Sequence, residues 1–334
     1  MTRLSICISC FSPSKGTLEN LLIIEQELKI NKDVELVYFD NGSEKNELYN
    51  EVESLLSRLK LDEDKQINFF ESKKNYGVGG GYSRAIKMAK GEYILLLGDD
   101  DKPDRGYIKA LLSYLTQHKI DFCHQYLLNK PQNDNLFNTW LLSSNSLFFS
   151  IGQAELAFRS GALPGCIFRS SLFKKNYNWD GLLYPWIQLV FDASVNKIAV
   201  VNLQKFISVD PGPKAHLRFS DRIPRGPDYA VIERLSYAKN HKSRIVRLIY
   251  TYKCLRWIQD VYIEVLSGNK ILAREMNKIL KEEVNFKTID KESSSFYTLL
   301  HCIKSSSHNI LDIFLLSFSL VLLSFLRRGR NVSY

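Results

Sequence analysis

The sequence predicts an α/β fold: a mostly parallel, doubly wound sheet with flanking helices, followed by a helical C-terminal region. Three observations predict it. Short apolar runs alternate with segments of helical periodicity over the first 120 residues. Breakers follow the runs, Pro13 and Gly16 after the first, Asp40-Asn41-Gly42 after the second and Gly98 after the fourth. The charge then changes sign along the chain: residues 1–213 hold 24 Lys/Arg against 25 Asp/Glu, and residues 214–334 hold 21 against 11. Strands alternating with helices are the pattern of a parallel sheet, whose ligands bind outside the carboxyl ends of the strands.

In chain order, Leu4–Phe11 is the first strand, broken by Pro13 and Gly16. Leu18, Leu21, Leu22, Glu25 and Leu28 follow with helical spacing. Val34–Phe39 is the second strand and runs into Asp40-Asn41-Gly42-Ser43, where Ser43 is placed to cap a helix bearing Leu48, Val52, Leu55, Leu56 and Leu59. Ile67–Phe70 is the third strand. After it come a glycine-rich stretch and a short helix ending at Gly91. Tyr93–Leu97 is the fourth strand and stops at Gly98 and three aspartates. Asp104 is placed to cap a helix carrying Tyr107, Ile108, Leu111, Leu112 and Leu115. Residues 120–215 are mixed in pattern and richer in aromatics. Beyond Pro211-Gly212-Pro213 the chain becomes basic, with seven Lys/Arg and no Asp/Glu across Arg234–Arg256. The expected division is therefore a domain at 1–215, in two parts at 1–103 and 104–215, and a basic helical region at 216–334.

The N-terminus lacks the layout of a secretory signal, which points to the cytoplasm and to reduced thiols. Of the six cysteines, Cys7 and Cys10 form a C-x-x-C inside an apolar run, so strand packing is expected there and metal is not. His124 and His216 lie nearest the expected site and read as structural, although His216 could reach a metal.

Three segments carry chemistry. Asp99-Asp100-Asp101 places consecutive carboxylates at a strand end, where they repel one another unless a cation compensates. Hard oxygen ligands of that kind suit Mg²⁺ or Mn²⁺ shared with a substrate's phosphates. Asp40, also at a strand end, can accept hydrogen bonds from a nucleobase or ribose, though D-N-G is an ordinary turn as well. Asn75-Tyr76-Gly77-Val78-Gly79-Gly80-Gly81-Tyr82-Ser83-Arg84 offers glycines that admit close backbone approach and an arginine for pyrophosphate.

Together these segments resemble family-2 glycosyltransferases of the GT-A fold, over roughly residues 3–115. Ser5-Ile6-Cys7-Ile8 looks like that family's first strand, and Asp40-Asn41-Gly42-Ser43 matches its base-binding D-N-x-S turn. The stretch from Asn75 to Arg84 is similar to an N-x-G-x-G-G segment of rhamnosyl- and galactofuranosyl-type transferases, and Asp99-Asp100-Asp101 falls on the D-x-D motif. The resemblance implies that Asp40 contacts the base, Asp99 the ribose or the metal, and Asp101 the metal that bridges the diphosphate. Asn75, Gly77, Arg84 and Asp100 are counted with them as nucleotide-sugar contacts. Gly181-Leu182-Leu183-Tyr184-Pro185-Trp186 is similar to a stretch of abequosyl-type O-antigen transferases. The family's E-D pair, whose Asp is the catalytic base, has no counterpart here. An inverting transfer needs a base, and Asp180 is the candidate, with Asp192 second.

Ile310–Leu326 is a 17-residue apolar run containing Asp312 and followed by Arg327-Arg328-Gly329-Arg330. As a helix it reaches roughly 26 Å, slightly short of a bilayer core. An interfacial or re-entrant helix fits it better than a span, and a helix packed on the domain is the alternative. The expected partners are a nucleotide-sugar donor, a lipid-linked glycan acceptor in O-antigen or capsule synthesis, the cytoplasmic face of the bacterial inner membrane, and further copies of the chain. Nucleic acid is not expected, because the basic stretch leads into an apolar run. The rival readings are a non-catalytic binding protein on the same fold and a nucleic-acid-binding protein using the basic third.

Overall fold

The computed structural model describes residues 3–60, 66–125, 140–141, 153–154, 156–158, 160–161, 163–193, 198–201, 207–209, 233–238 and 241–254. It divides into two compact units, Met1–Gly212 and Pro213–Tyr334.

In the first unit, β1 (Leu4–Cys10) and β2 (Val34–Asp40) are buried almost throughout. That is the signature of parallel strands covered on both faces. Between them runs α1 (Lys15–Ile30), started by a capping box in which Ser14 and Thr17 exchange side-chain and backbone bonds. Helix α2 (Glu47–Lys60) buries Tyr49, Val52, Leu55, Leu56 and Leu59. It is capped by Asn46, whose Oδ1 accepts from the Tyr49 N–H at 2.9 Å. Ser43 does not cap it, because its hydroxyl is spent on Asp40. Strand β3 (Gln66–Glu71), helix α3 (Gly77–Met88) and strand β4 (Tyr93–Leu96) follow. After the short β5 (Asp101–Pro103) comes α4 (Tyr107–His118). Asp104 does not cap α4 through its side chain; the N-cap is Gly106, at φ 79, a left-handed conformation that suits glycine. The Gly106 N–H donates instead to the buried Glu27 carboxylate of α1 at 2.6 Å.

The remaining strands are β6 (Phe122–Gln125), β7 (Trp140–Leu141), β8 (Cys166–Arg169), β9 (Ile198–Val201) and β10 (Ile207–Val209), with helix α5 (Ile187–Asp192) before β9. Among the described residues one sheet has the order β3-β2-β1-β4-β8-β6-β9-β7, and β10 pairs with β5. The pairs β3–β2, β2–β1 and β1–β4 are parallel. Then β8 enters antiparallel to both β4 and β6, β9 is parallel to β6, and β7 is antiparallel to β9. The sheet is therefore mixed. Its parallel half comes from consecutive βα units, whereas β8 arrives from far along the chain.

The C-x-x-C residues Cys7 and Cys10 are buried free thiols, as are Cys123, Cys166 and Cys254. The expected packing role holds.

The second unit is described at 233–238 and 241–254, where 233–238 and 244–254 are helical. Leu235, Ala238, Val246, Tyr250 and Cys254 are buried there, while Ile245 is exposed. No helix among the described residues is long and apolar enough to cross a membrane. The run 310–326 and His216 lie outside the described residues.

Candidate functional site

Parallel strands in register deliver their C-terminal residues to one edge of the sheet. Cys10 pairs with Asp40 across β1 and β2, and β4 lies on the other side of β1. The segments that follow, Phe11–Ser14, Asn41–Ser43 and Gly98–Asp101, emerge together at that edge.

Asp40 is buried. Its Oδ1 accepts from the Ser43 N–H at 3.2 Å and from the Ser43 hydroxyl. Burial pushes its carboxyl above the usual range, and the two Ser43 bonds pull it partly back. Ser43 Oγ also accepts from the Ser12 N–H at 3.0 Å. Ser12 has φ 62, a conformation that L residues rarely adopt. Phe11, in the same turn, is an exposed aromatic, at 52% exposure.

Asp99 meets donors from two elements. Its Oδ2 accepts from Thr17 Oγ1 at 3.0 Å and from Cys10 Sγ at 3.2 Å. Asn20 Nδ2 donates to the carbonyls of Gly98 and Asp99, each at 3.1 Å. Burial and the neighbouring Asp100 charge raise the Asp99 carboxyl. Asp101 is buried, and its Oδ2 accepts from the Gly98 N–H at 2.7 Å, which closes the turn.

No group of three His, Cys, Asp or Glu side chains is arranged to hold a metal among the described residues. A dedicated protein cage is therefore absent from them. The donor set still fits a hard divalent ion shared with phosphates, because such an ion takes one or two carboxylates and completes its shell with substrate and water. The raised Asp99 carboxyl, beside a second carboxylate, is what a cation would relieve.

The glycine-rich helix start differs from expectation. Asn75 Oδ1 accepts from the Gly77 N–H at 2.8 Å, and the Gly79 N–H donates to the Leu182 carbonyl at 2.9 Å. Two amides expected for phosphate are thus committed within the protein. Glycine is required at Gly79 because a Cβ there would lie 2.6 Å from the Trp179 carbonyl oxygen. Gly77 has φ 75 and packs on Gly181. The glycines admit close approach, as expected, but what approaches is the segment Trp179–Pro185. Asn41, buried and read only as part of a turn, staples this joint. Its Nδ2 donates to Asn75 Oδ1 at 3.2 Å and to the Gly77 carbonyl at 3.0 Å, and its Oδ1 accepts from the Tyr76 N–H at 3.0 Å.

Arg84 and Asp180, expected to serve pyrophosphate and proton transfer separately, face each other. Arg84 donates to both carboxylate oxygens of Asp180, at 2.6 and 3.3 Å. Its guanidinium carbon lies 3.2 Å from the Tyr76 ring centroid. The Arg84 bonds hold the Asp180 carboxyl below the usual range. Asp192 is bound by Lys174 at 3.0 Å and by the Tyr177 hydroxyl. Trp186 is buried and donates to the Ser160 carbonyl. His124 lies buried in β6.

Sequence reading missed Thr17, Asn20, Asn41 and Phe11. Ser14-x-x-Thr17 is legible as a capping pair, but nothing local shows that Thr17 reaches Asp99.

Comparison with known proteins adds three findings. Residues 5–182 match the family model described as glycosyl transferase family 2. An uncharacterized glycosyltransferase of Rickettsia felis is 26% identical over 205 residues, covering 59% of this chain and 32% of its own length. One of Rickettsia conorii is 23% identical over 200 residues with the same coverage. The chain thus spans 32% of the length of the curated relatives it matches. Among solved structures, S. aureus TarS 1–349 superposes with TM-score 0.57 at 16% identity, covering 91% of this chain and 81% of that one. Its complex with UDP-GlcNAc gives 0.59 at 15%, covering 92% and 82%. At such identity the likeness is one of fold.

Proposed function

This chain belongs to glycosyl transferase family 2, and from that premise we propose that it moves a sugar from a nucleoside diphosphate to a lipid-linked glycan, with inversion, in bacterial surface-polysaccharide synthesis of the O-antigen or capsule kind. The observation that carries the reading is the meeting of Asp40 and Asp99 on either side of Cys10 at the carboxyl edge of the parallel strands.

In this reading Asp40 accepts from the base or ribose, and the exposed Phe11, in the turn after β1, offers a ring face to the donor. Asp99 and Asp101, with Asp100 between them, would hold Mg²⁺ or Mn²⁺, which would supply positive charge to the departing diphosphate. Arg84 turns onto the diphosphate when the donor binds. That movement releases Asp180, whose carboxylate then takes the acceptor hydroxyl proton. Asn75 and Gly77 shape the wall of the donor site from the start of α3.

A second reading has its own observation. The bidentate Arg84 contact favours Asp180 as a clasp on Arg84, not a base.

The basic stretch Arg234–Arg256 supports attachment to an anionic lipid surface, at about 1 kcal/mol per basic residue near the membrane. The enzyme would act as a peripheral or monotopic protein at the cytoplasmic face of the inner membrane. Flotation with anionic vesicles should carry the chain with it; failure to float at low salt would remove the membrane from the proposal.

The test of the donor site is a binding panel of UDP, GDP, dTDP and CDP with and without Mn²⁺. UDP comes first, because the TarS complex holds UDP-GlcNAc. One nucleotide should bind more tightly with Mn²⁺. Asp101→Asn keeps an acceptor for the Gly98 N–H while removing the charge, so it should abolish the Mn²⁺ effect and cut transfer by about 10²-fold or more. An unchanged Mn²⁺ response in that variant would overturn the metal assignment. Donor hydrolysis without acceptor separates an enzyme from a binding protein on the same fold.

A further inference from the structure

We infer that Thr17 and Cys10 are positioning residues for Asp99, orienting its carboxylate toward the metal-bound diphosphate. The inference rests on the proposed role of Asp99 and adds the residues that make the role geometrically feasible. Asp99 sits in a turn beyond β4, outside any strand or helix. A carboxylate so placed needs its rotamer fixed from outside if it is to meet a ligand within a fraction of an ångström.

Two donors converge on one oxygen. Thr17 Oγ1 lies 3.0 Å and Cys10 Sγ 3.2 Å from Asp99 Oδ2, and Oδ1 takes part in neither bond. Thr17 is itself oriented. The Ser14 N–H donates to its Oγ1 at 2.9 Å, and of the two oxygens its hydroxyl proton can reach, Asp99 Oδ2 at 3.0 Å is nearer than Ser14 Oγ at 3.3 Å. The backbone is held from the same helix, where Asn20, one turn after Thr17, donates to the carbonyls of Gly98 and Asp99. Thr17, Asn20 and Cys10 are fully buried. An apolar side chain at position 17 would fill the space without a buried polar group to satisfy. The hydroxyl is accounted for by the carboxylate it orients, as outer-shell partners orient metal ligands.

The obvious objection is that Thr17 only completes the helix cap. The test separates the two roles in the full-length chain. The probe is Mn²⁺, titrated by electron paramagnetic resonance with UDP, or with whichever of GDP, dTDP and CDP the panel selects. Thermal unfolding is recorded alongside. Thr17→Val should weaken Mn²⁺ binding about tenfold and raise the KM for donor, while Thr17→Ser restores both. Ser14→Ala removes the hydroxyl half of the capping box and leaves the Thr17–Asp99 bond. It should lower the melting temperature and keep wild-type Mn²⁺ affinity. If Thr17→Val does not fold, Cys10→Ala and Cys10→Ser are compared, and Mn²⁺ binding should fall only in the first. Wild-type Mn²⁺ affinity in Thr17→Val, or an equal loss in Ser14→Ala, overturns the inference and leaves the donor-site reading standing. Absence of Mn²⁺ binding in the wild type with all four nucleotides overturns that reading, and the inference falls with it.

Discussion

The two halves of the large sheet are built differently. In β3-β2-β1-β4 the four strands come from successive βα units, and all three pairings are parallel. Asp40 and Asp99 come to one edge because the chain leaves every strand of this half there. In β8-β6-β9-β7 the strands have four residues or fewer, and β8 reaches β4 across some seventy positions. That half is joined to the first by the β4–β8 ladder and by Arg169, which pairs with Glu92 and donates to the Tyr93 hydroxyl at 2.7 Å. Within it, Arg169 also pairs with Asp121 at 3.3 Å, and the Phe122 and Phe168 rings stack at 6.4 Å. A parallel edge supplies a ready ligand site. The later segments add a single carboxylate, Asp180, through a clasp on a residue of the parallel half.

The largest effect should come from breaking that clasp on the acceptor side. Asp180→Asn should reduce turnover by about 10²–10⁴-fold with donor affinity nearly unchanged, as expected of a general base. Arg84→Lys should weaken donor binding instead. If Asp180→Asn loses donor affinity as Arg84→Lys does and keeps its turnover, Asp180 is a clasp alone and the catalytic base lies elsewhere. Next in size is the joint itself. Asn41→Ala leaves the Tyr76 N–H and the Gly77 carbonyl without their side-chain partner, which should cost about 2–4 kcal/mol in urea unfolding. A loss below about 1 kcal/mol would mean that water replaces Asn41 and the joint is wetter than described.

The smallest effects separate the halves by sign. Burial raises the Asp40 carboxyl above its unfolded value, so folding disfavours its charge. Stability from this group should grow as pH falls through the folded value. Asp40→Asn should therefore melt slightly higher at neutral pH while losing nucleotide affinity, a stability–function trade at the ligand edge. Asp180 runs the other way. Its depressed carboxyl stabilises the fold above the unfolded value, near 3.9 for an ordinary aspartate, and that contribution is lost as pH falls through the lower folded value. The pair is partly exposed, at 26% for Arg84 and 41% for Asp180, so the contribution should stay below about 1 kcal/mol. Acid titrations of the melting temperature in the two variants check both signs; the same sign in both would break the contrast.

By itself the sequence determined the parallel half. Apolar runs such as Leu4–Phe11 and Val34–Phe39 read as strands, and the helical periodicity between them argues for parallel pairing. The strand-end aspartates were legible for the same reason, since strand direction fixes the edge at which they emerge. Tertiary structure alone decided what holds them. Thr17 meets Asp99 eighty-two positions later, and Arg84 meets Asp180 after ninety-six. It also decided that the glycines of α3 accommodate Trp179–Pro185, that Asn46 and not Ser43 caps α2, and that β8 enters antiparallel. Periodicity reports which face of an element is buried. It carries no information on which distant side chain supplies the burial, because that choice depends on packing between segments whose separation in the chain leaves no local pattern.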